Sequence, residues 1–190
     1  RGDVPHEELL TFRAMGTRLQ GHPSNTHLPG VDSSSGSLGQ GLSVANGAAL
    51  AARYEGLDSR YYVMIGDGES QEGQIWEAAM TAAAQGLDNV CAIVDVNGIQ
   101  LDGTVESVKS LGDLPAKWRA FGWNVIDIDG HDLRAIDDAL TEAARTRGVP
   151  TTIISRTVKG KGVSFMENTA KYHGLAPTDE ELTTALEELR

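Results

Sequence analysis

The sequence predicts an α/β fold, a doubly wound, mainly parallel sheet with helices on both faces. Three observations carry this. Short apolar runs, Tyr61 to Ile65 and Val90 to Val94, alternate with longer segments of helical propensity, the order that a parallel sheet covered on both sides requires. Each of these runs ends in a polar, glycine-containing turn: Gly66-Asp67-Gly68 after the first, Asp95-Val96-Asn97-Gly98-Ile99 after the second. The turns lie thirty positions apart, from Asp67 to Asn97, which leaves room for one crossover helix between two parallel strands.

The elements follow in order. A lead-in helix is expected within residues 1–21, then a helix near Leu38 to Glu55 and a strand over Tyr61 to Ile65. Gln74 to Gln85, with Ala78, Ala79, Met80, Ala82, Ala83 and Ala84, has high helix propensity. A strand from Val90 to Asp95, a helix from Leu114 to Phe121 and a strand from Asn124 to Ile128 come next. Asp132 can cap a helix from Leu133 to Thr146, and Thr151 to Ser155 reads as the last strand. The final helix, Asp179 to Leu189, opens with Thr178 and Glu181 at capping-box spacing. No internal repeat is evident.

Composition limits the possibilities. A chain of 190 residues, 40% of them hydrophobic, suffices for one well-buried domain over residues 1–190. The net charge of −11 and a pI of about 4.8 disfavour nucleic acid and anionic membranes as partners. Cys91 is the only cysteine and sits within an apolar run, which excludes a disulfide framework and fits a reducing cytoplasm. No apolar run reaches the length of a membrane span, and no signal peptide is visible.

Two parallel strands ending side by side would bring Asp67 and Asn97 to the carboxyl edge of one sheet, where open α/β sheets place their ligands. A carboxylate oxygen and an amide oxygen are ligands that Mg²⁺ accepts when a substrate phosphate completes its octahedron. Gly66 and Gly68 lack a Cβ, so the backbone can turn tightly and approach a phosphate. The helix from Gln74 would aim its amino-terminal dipole at the same anion. Taken singly, Gly-Asp-Gly and Asn-Gly are turns found in any protein; the specificity lies in the pair and its strand contexts. Gly36 to Gly41 follows the polar loop Asp32-Ser33-Ser34-Ser35 rather than a strand, so it is not a dinucleotide fingerprint.

Further motifs extend the pair. In order, they are His22-Pro23, Leu28-Pro29-Gly30-Val31, Gly36-Ser37-Leu38-Gly39-Gln40-Gly41 and Gly66-Asp67-Gly68-Glu69-Ser70-Gln71-Glu72-Gly73. They continue with Asn97-Gly98-Ile99-Gln100-Leu101-Asp102-Gly103, Asp129-Gly130-His131-Asp132, and Thr157-Val158-Lys159-Gly160-Lys161-Gly162 running to His173-Gly174. From His22 onward this series resembles the amino-terminal, diphosphate-binding part of the transketolase family, including the Gly-Asp-Gly to Asn motif for thiamin diphosphate.

That resemblance implies a ligand set for Mg²⁺, or Ca²⁺ or Mn²⁺ in its place: the Asp67 carboxylate, the Asn97 side-chain oxygen and the Ile99 backbone carbonyl, with diphosphate oxygens and a water. It implies cofactor contacts at Gly36, Ser37, Leu38, Gly66, Gly68, Glu69, Asn97, Lys159 and His173, with Leu38 packing under the aminopyrimidine. Position 98 departs from the common family residues in being Gly. His22 is implied at the reacting end of the sugar, and His173 at both diphosphate and substrate. Glu72 is implied at a subunit boundary, hydrogen-bonded to the partner's catalytic glutamate; an exposed acid at a helix start is the alternative. Lys161 reads equally well as part of an exposed basic loop, His27 as exposed, and His131 as turn chemistry before a helix.

The resemblance further implies a missing amino-terminal part of the family domain, with its His-Pro segment near the thiazolium, and a missing pyrimidine-binding domain that supplies the glutamate ionising the cofactor. The expected protein is therefore the diphosphate-binding subunit of a split transketolase. It would move a two-carbon ketol unit from a ketose phosphate to an aldose, in a heterotetramer with two copies each of itself and of a pyrimidine-binding, carboxy-terminal subunit. Two alternatives stay open: a related thiamin diphosphate enzyme, such as a deoxyxylulose phosphate synthase or a specialised sugar transferase, and a non-catalytic partner domain.

Overall fold

The computed structural model describes residues 2–190. In chain order the elements are α1 (Gln40–Glu55), β1 (Tyr61–Gly66), α2 (Gly73–Ala84), β2 (Val90–Val96), β3 (Ile99–Gln100), β4 (Gly103–Thr104), α3 (Val105–Lys109), α4 (Leu114–Ala120), β5 (Asn124–Asp129), α5 (Leu133–Arg145), β6 (Thr151–Arg156) and α6 (Asp179–Glu188). β1, β2, β6 and β5, in that order, form one sheet with every pair parallel. The chain passes the β6 position on its way to β5 and then returns to fill it. That reversal sends α5 to the face opposite α2 and α4.

Strand residues alternate between the two faces, as the pleat demands. Val90, Ala92 and Val94 of β2 join Ile65, Ile154, Leu42, Ile75, Ala79 and Trp118 in the larger core. Cys91 and Ile153 turn the other way, onto Ala139 and Ala143 of α5. Helices thus cover both faces, as expected, but α5 does not reach β1. There Tyr62 and Met64 remain 50% and 68% exposed. The larger core is pinned by aromatics: Trp118 packs 5.3 Å from Trp76 and 4.8 Å from Trp123 between ring centroids, joining α2 to α4 and to the residue that precedes β5.

Local signals account for the ends of the elements. Asp132 accepts from the backbone N–H groups of Arg134 and Ala135 at the start of α5. Thr178 and Glu181 form the complete capping box of α6, which contributes about 1 kcal/mol. All four strands run one residue or more beyond the expected apolar stretch, to Gly66, Val96, Asp129 and Arg156. α1 starts at Gln40 rather than Leu38, because Gly39 takes a left-handed conformation with φ of 82°.

One expectation is corrected. The lead-in segment is not an α-helix: past Arg1, which lies outside the described residues, only His6–Thr11 forms a 3-10 helix. Gly2, Gly16 and Arg13 adopt positive φ there, and Leu10 and Met15 are fully or nearly fully exposed. Without a packed apolar face, tertiary contact adds nothing to weak local propensity. α2 starts at Gly73, one residue before the expected Gln74, with a 3-10 turn at Glu69–Gln71 and an extended Glu72 between it and Asp67. The hairpin β3–β4 and the short α3, capped by Thr104, have no counterpart in the sequence-based assignment.

Candidate active site

The strand register sets the site. Gly66 pairs with Asp95, and Val96 pairs with Arg156, so the residues that follow, Asp67, Asn97 and Thr157, emerge together at the carboxyl edge. Asp67 is 3% exposed. Its Oδ1 accepts from Gly68 N–H at 2.8 Å, and its Oδ2 accepts from Gly98 N–H at 2.6 Å. The two turns are thereby closed on each other. Gly98 takes part in this closure with φ of 76°, a left-handed backbone that glycine adopts without penalty. Asn97 donates through Nδ2 to Asp95 Oδ2 at 2.6 Å and accepts at Oδ1 from Ile99 N–H at 3.0 Å.

Burial holds the Asp67 carboxyl above the usual carboxylate range, against the backbone hydrogen bonds and with the Asp95 charge assisting. No side-chain cation pairs with it among the described residues. A carboxyl raised in this way favours folding while protonated. In metal-free protein its contribution is present below the ordinary value of 3.8 and is lost as pH rises through the raised value. Above about pH 4, metal-free wild type should therefore lose melting temperature relative to Asp67→Asn, whose amide does not titrate. Parallel melting profiles for the two proteins would contradict this.

The glycine-rich loop is tied to the same turn. Glu69 accepts from Gly39 N–H at 2.8 Å through one carboxylate oxygen and from Gly66 N–H at 3.1 Å through the other. Both of its oxygens thus hold backbone. A Cβ on Gly39 would lie 3.0 Å from Cβ of Glu72, whose side chain is otherwise exposed. Gly36 has φ of 113°, and a Cβ there would lie 2.6 Å from the His22 ring. The loop therefore lies against an exposed His22, while Ser37 and a half-exposed Leu38 line the neighbouring cavity. Gly68 is similarly constrained, since a Cβ would lie 2.9 Å from Gln100 Cβ, and the Gln100 Oε1 is buried without a partner.

The loop after β6 completes the edge. Thr157 donates its hydroxyl to Asp95 Oδ1, and Val158 N–H donates to His131 Nε2 at 2.8 Å. His131 thus holds the basic loop in addition to occupying a turn. Lys159 is half-buried, and Gly160 beside it lies so near the Met166 carbonyl that a Cβ would sit 2.6 Å from its oxygen. His173 is exposed on a 3-10 turn beyond this loop. It shares no hydrogen bond or cavity with Asp67 among the described residues. Asp67, Asn97, Ile99 and Gly98 are brought together; Glu69, Gly39 and Gly66 form an adjoining cluster; His22 and His173 stand apart.

A cavity of about 470 Å³ opens over Asp67 and Gly98, walled by Val105, Leu114, Asp113 and Arg156. A larger one, about 930 Å³, follows edge strand β1 and α1, meeting the candidate site only at Gly36–Leu38 and Glu69. Asp67 chemistry belongs to the smaller cavity. No group of three His, Cys, Asp or Glu side chains able to hold a metal occurs among the described residues. A cation here would need amide, carbonyl and external anionic oxygens.

Residues 2–189 match the family described as "Transketolase, thiamine diphosphate binding domain". The fold is that of a thiamin diphosphate-binding α/β domain. The chain is 44% identical over its whole length to the 6-deoxy-6-sulfo-D-fructose transketolase subunit SqwG of Clostridium sp. strain MSTE9, covering 69% of that protein. It is 41% identical, again over its whole length, to an apulose-4-phosphate transketolase subunit from Phocaeicola vulgatus, covering 67% of it. The transketolase structure from Leishmania mexicana superposes with a TM-score of 0.90 at 33% identity, over 99% of this chain and 30% of that one. The chain belongs to the transketolase family. No described helix is long and apolar enough to cross a membrane.

Sequence reasoning missed Asp95, Gln100 and the bond between His131 and Val158. Asp95, two residues before Asn97 at the end of a strand, carried a readable signal. Gln100 and His131 carried none, because Gly68, against which Gln100 packs, and Val158, which donates to His131, are distant in sequence.

Proposed function

We propose that this chain is the diphosphate-binding half of a transketolase active site divided between two polypeptides, moving a two-carbon ketol unit from a ketose phosphate or similar anionic sugar to an aldose. The closure of the Asn97-Gly98 turn onto the buried Asp67 carboxylate, which pairs with no side-chain cation among the described residues, carries this reading. Mg²⁺ offsets the buried charge, with Asp67, the Asn97 Oδ1 and the Ile99 carbonyl as its ligands from this chain. Bound thiamin diphosphate supplies the carbon nucleophile that the transfer requires. Gly66 and Gly68 leave its diphosphate room to approach the backbone. Glu69 fixes the Gly36–Gly39 loop against that turn, so Gly36, Ser37 and Leu38 face the cofactor from a set position. Lys159 contributes a cation from the β6 loop. Support for a partner comes from the names of the two relatives, each of which is called a subunit. The assembly proposed is a cytoplasmic heterotetramer, two copies of each chain around a twofold axis.

Metal and cofactor then bind interdependently. Calorimetry of thiamin diphosphate on the partnered protein should show tight binding with Mg²⁺ and much weaker binding in EDTA. Equal affinity in both conditions would remove the metal from the reading.

His22 and His173 should separate on mutation. His22 contacts the glycine loop from an exposed position, suited to a sugar oxygen, so His22→Ala should retain cofactor affinity while kcat falls about 10²-fold or more. His173→Ala should weaken cofactor binding and turnover together. Loss of cofactor binding in a folded His22→Ala protein, checked by circular dichroism, would reverse the role given to His22.

A further inference from the structure

Asp95 occupies the junction of three loops. Its backbone carbonyl accepts from Asp67 N–H at 3.1 Å. Its Oδ2 accepts from the Asn97 amide, and its Oδ1 from the Thr157 hydroxyl. An amide side chain has nearly the same shape in both flipped orientations, so packing alone does not choose between its oxygen and its nitrogen. A carboxylate chooses, because it offers acceptors only. With Asp95 on one side, Asn97 must present Nδ2 there and Oδ1 on the other, where Ile99 N–H also requires an acceptor. The Thr157 hydroxyl on the second carboxylate oxygen keeps Asp95 from turning away.

We infer that Asp95 is a positioning residue, which orients the Asn97 amide so that its oxygen, not its nitrogen, faces the cation. The inference rests on the metal reading given above. Asp95→Leu keeps the bulk and removes both acceptors, so no group on that side holds Asn97 Nδ2. Asp95→Asn alone does not do this, because its oxygen can take the Asn97 amide while the Thr157 hydroxyl accepts from its nitrogen. Asn97→Asp is unfavourable because two carboxylates then face each other. The exchanged pair, Asp95→Asn with Asn97→Asp, rebuilds every contact. The amide oxygen now at position 95 accepts from Thr157, and the amide nitrogen there donates to the new carboxylate. That carboxylate keeps an oxygen for Ile99 N–H and one face for the cation. The net charge of the exchanged pair equals that of the wild type.

The test is Mn²⁺ binding followed by electron paramagnetic resonance, on the protein assembled with its partner and saturated with thiamin diphosphate. Melting of the metal-free proteins is the control. Asp95→Leu should bind Mn²⁺ about 10–100-fold more weakly, the usual cost of losing an outer-shell partner. Asn97→Asp should also weaken binding, and the exchanged pair should recover most of that loss, a coupling that the single changes do not predict. Wild-type affinity in a folded Asp95→Leu overturns the inference. So does an exchanged pair no better than Asn97→Asp, or a failure of both Asp95→Leu and the exchanged pair to fold, since either makes the role one of packing. If Asp95→Leu alone fails to fold while the exchanged pair folds and binds, the inference stands. A wild type that binds no Mn²⁺ overturns the metal reading and this inference together.

Discussion

Asp67→Ala should abolish cofactor loading. The carboxylate is the one buried charged group among the described residues, and it both closes the Asn97-Gly98 turn and supplies the anionic ligand for the metal. Removing it acts twice. The cation loses its charged ligand, which should exceed the 10–100-fold that loss of an outer-shell partner costs. The N–H groups of Gly68 and Gly98 also lose their acceptor; Gly68 is half-buried and Gly98 exposed, so water takes part of its place and the cost falls below the ~1–3 kcal/mol of a fully buried unpaired donor. Calorimetry with Mg²⁺ and thiamin diphosphate on the partnered variant should therefore give no measurable heat. Asp67→Asn keeps one acceptor and separates the effects, because it should fold better than Asp67→Ala and still fail to load. Retained Mg²⁺-dependent binding in a folded Asp67→Asn protein would remove Asp67 as a ligand.

The isolated chain should be inactive in ketol transfer and gain activity only with a second polypeptide. The reaction needs an acid placed against the cofactor's pyrimidine ring, and the acids described at this edge are already engaged. Glu69 has both oxygens on backbone N–H groups, Asp67 closes the turn, and Asp95 holds Asn97 and Thr157. Glu72 is exposed, available to a neighbouring chain. Transfer from a ketose phosphate to an aldose, measured with the chain alone and with the co-expressed partner, should differ by at least ~10²-fold, the scale of a single general acid–base group. Turnover by the chain alone at the level of the complex would overturn the divided active site.

The amino-acid sequence alone determined much of this. The apolar runs were legible as strands because both faces of a central parallel strand are buried, so Val90 to Val94 reads as continuous rather than alternating hydrophobicity. Asp132 and Thr178 were legible as caps because capping acts over three residues. The pair of turns at Asp67 and Asn97 was legible because a parallel crossover fixes their separation. Local chemistry carries such signals along the chain. The lead-in segment misled because its apolar residues stay exposed, Leu9 and Phe12 by about half and Leu10 and Met15 almost wholly, and helical propensity without burial does not hold a helix. Only the tertiary structure could show that the Asp67 carboxylate is occupied by Gly68 and Gly98, that Glu69 fastens the glycine loop from thirty residues away, or that His131 holds the basic loop. These contacts depend on which strands become neighbours and in what register. A one-residue slip of β1 against β2 would flip the strand side chains to the opposite face of the sheet and carry Asp67 out of step with the Asn97-Gly98 turn.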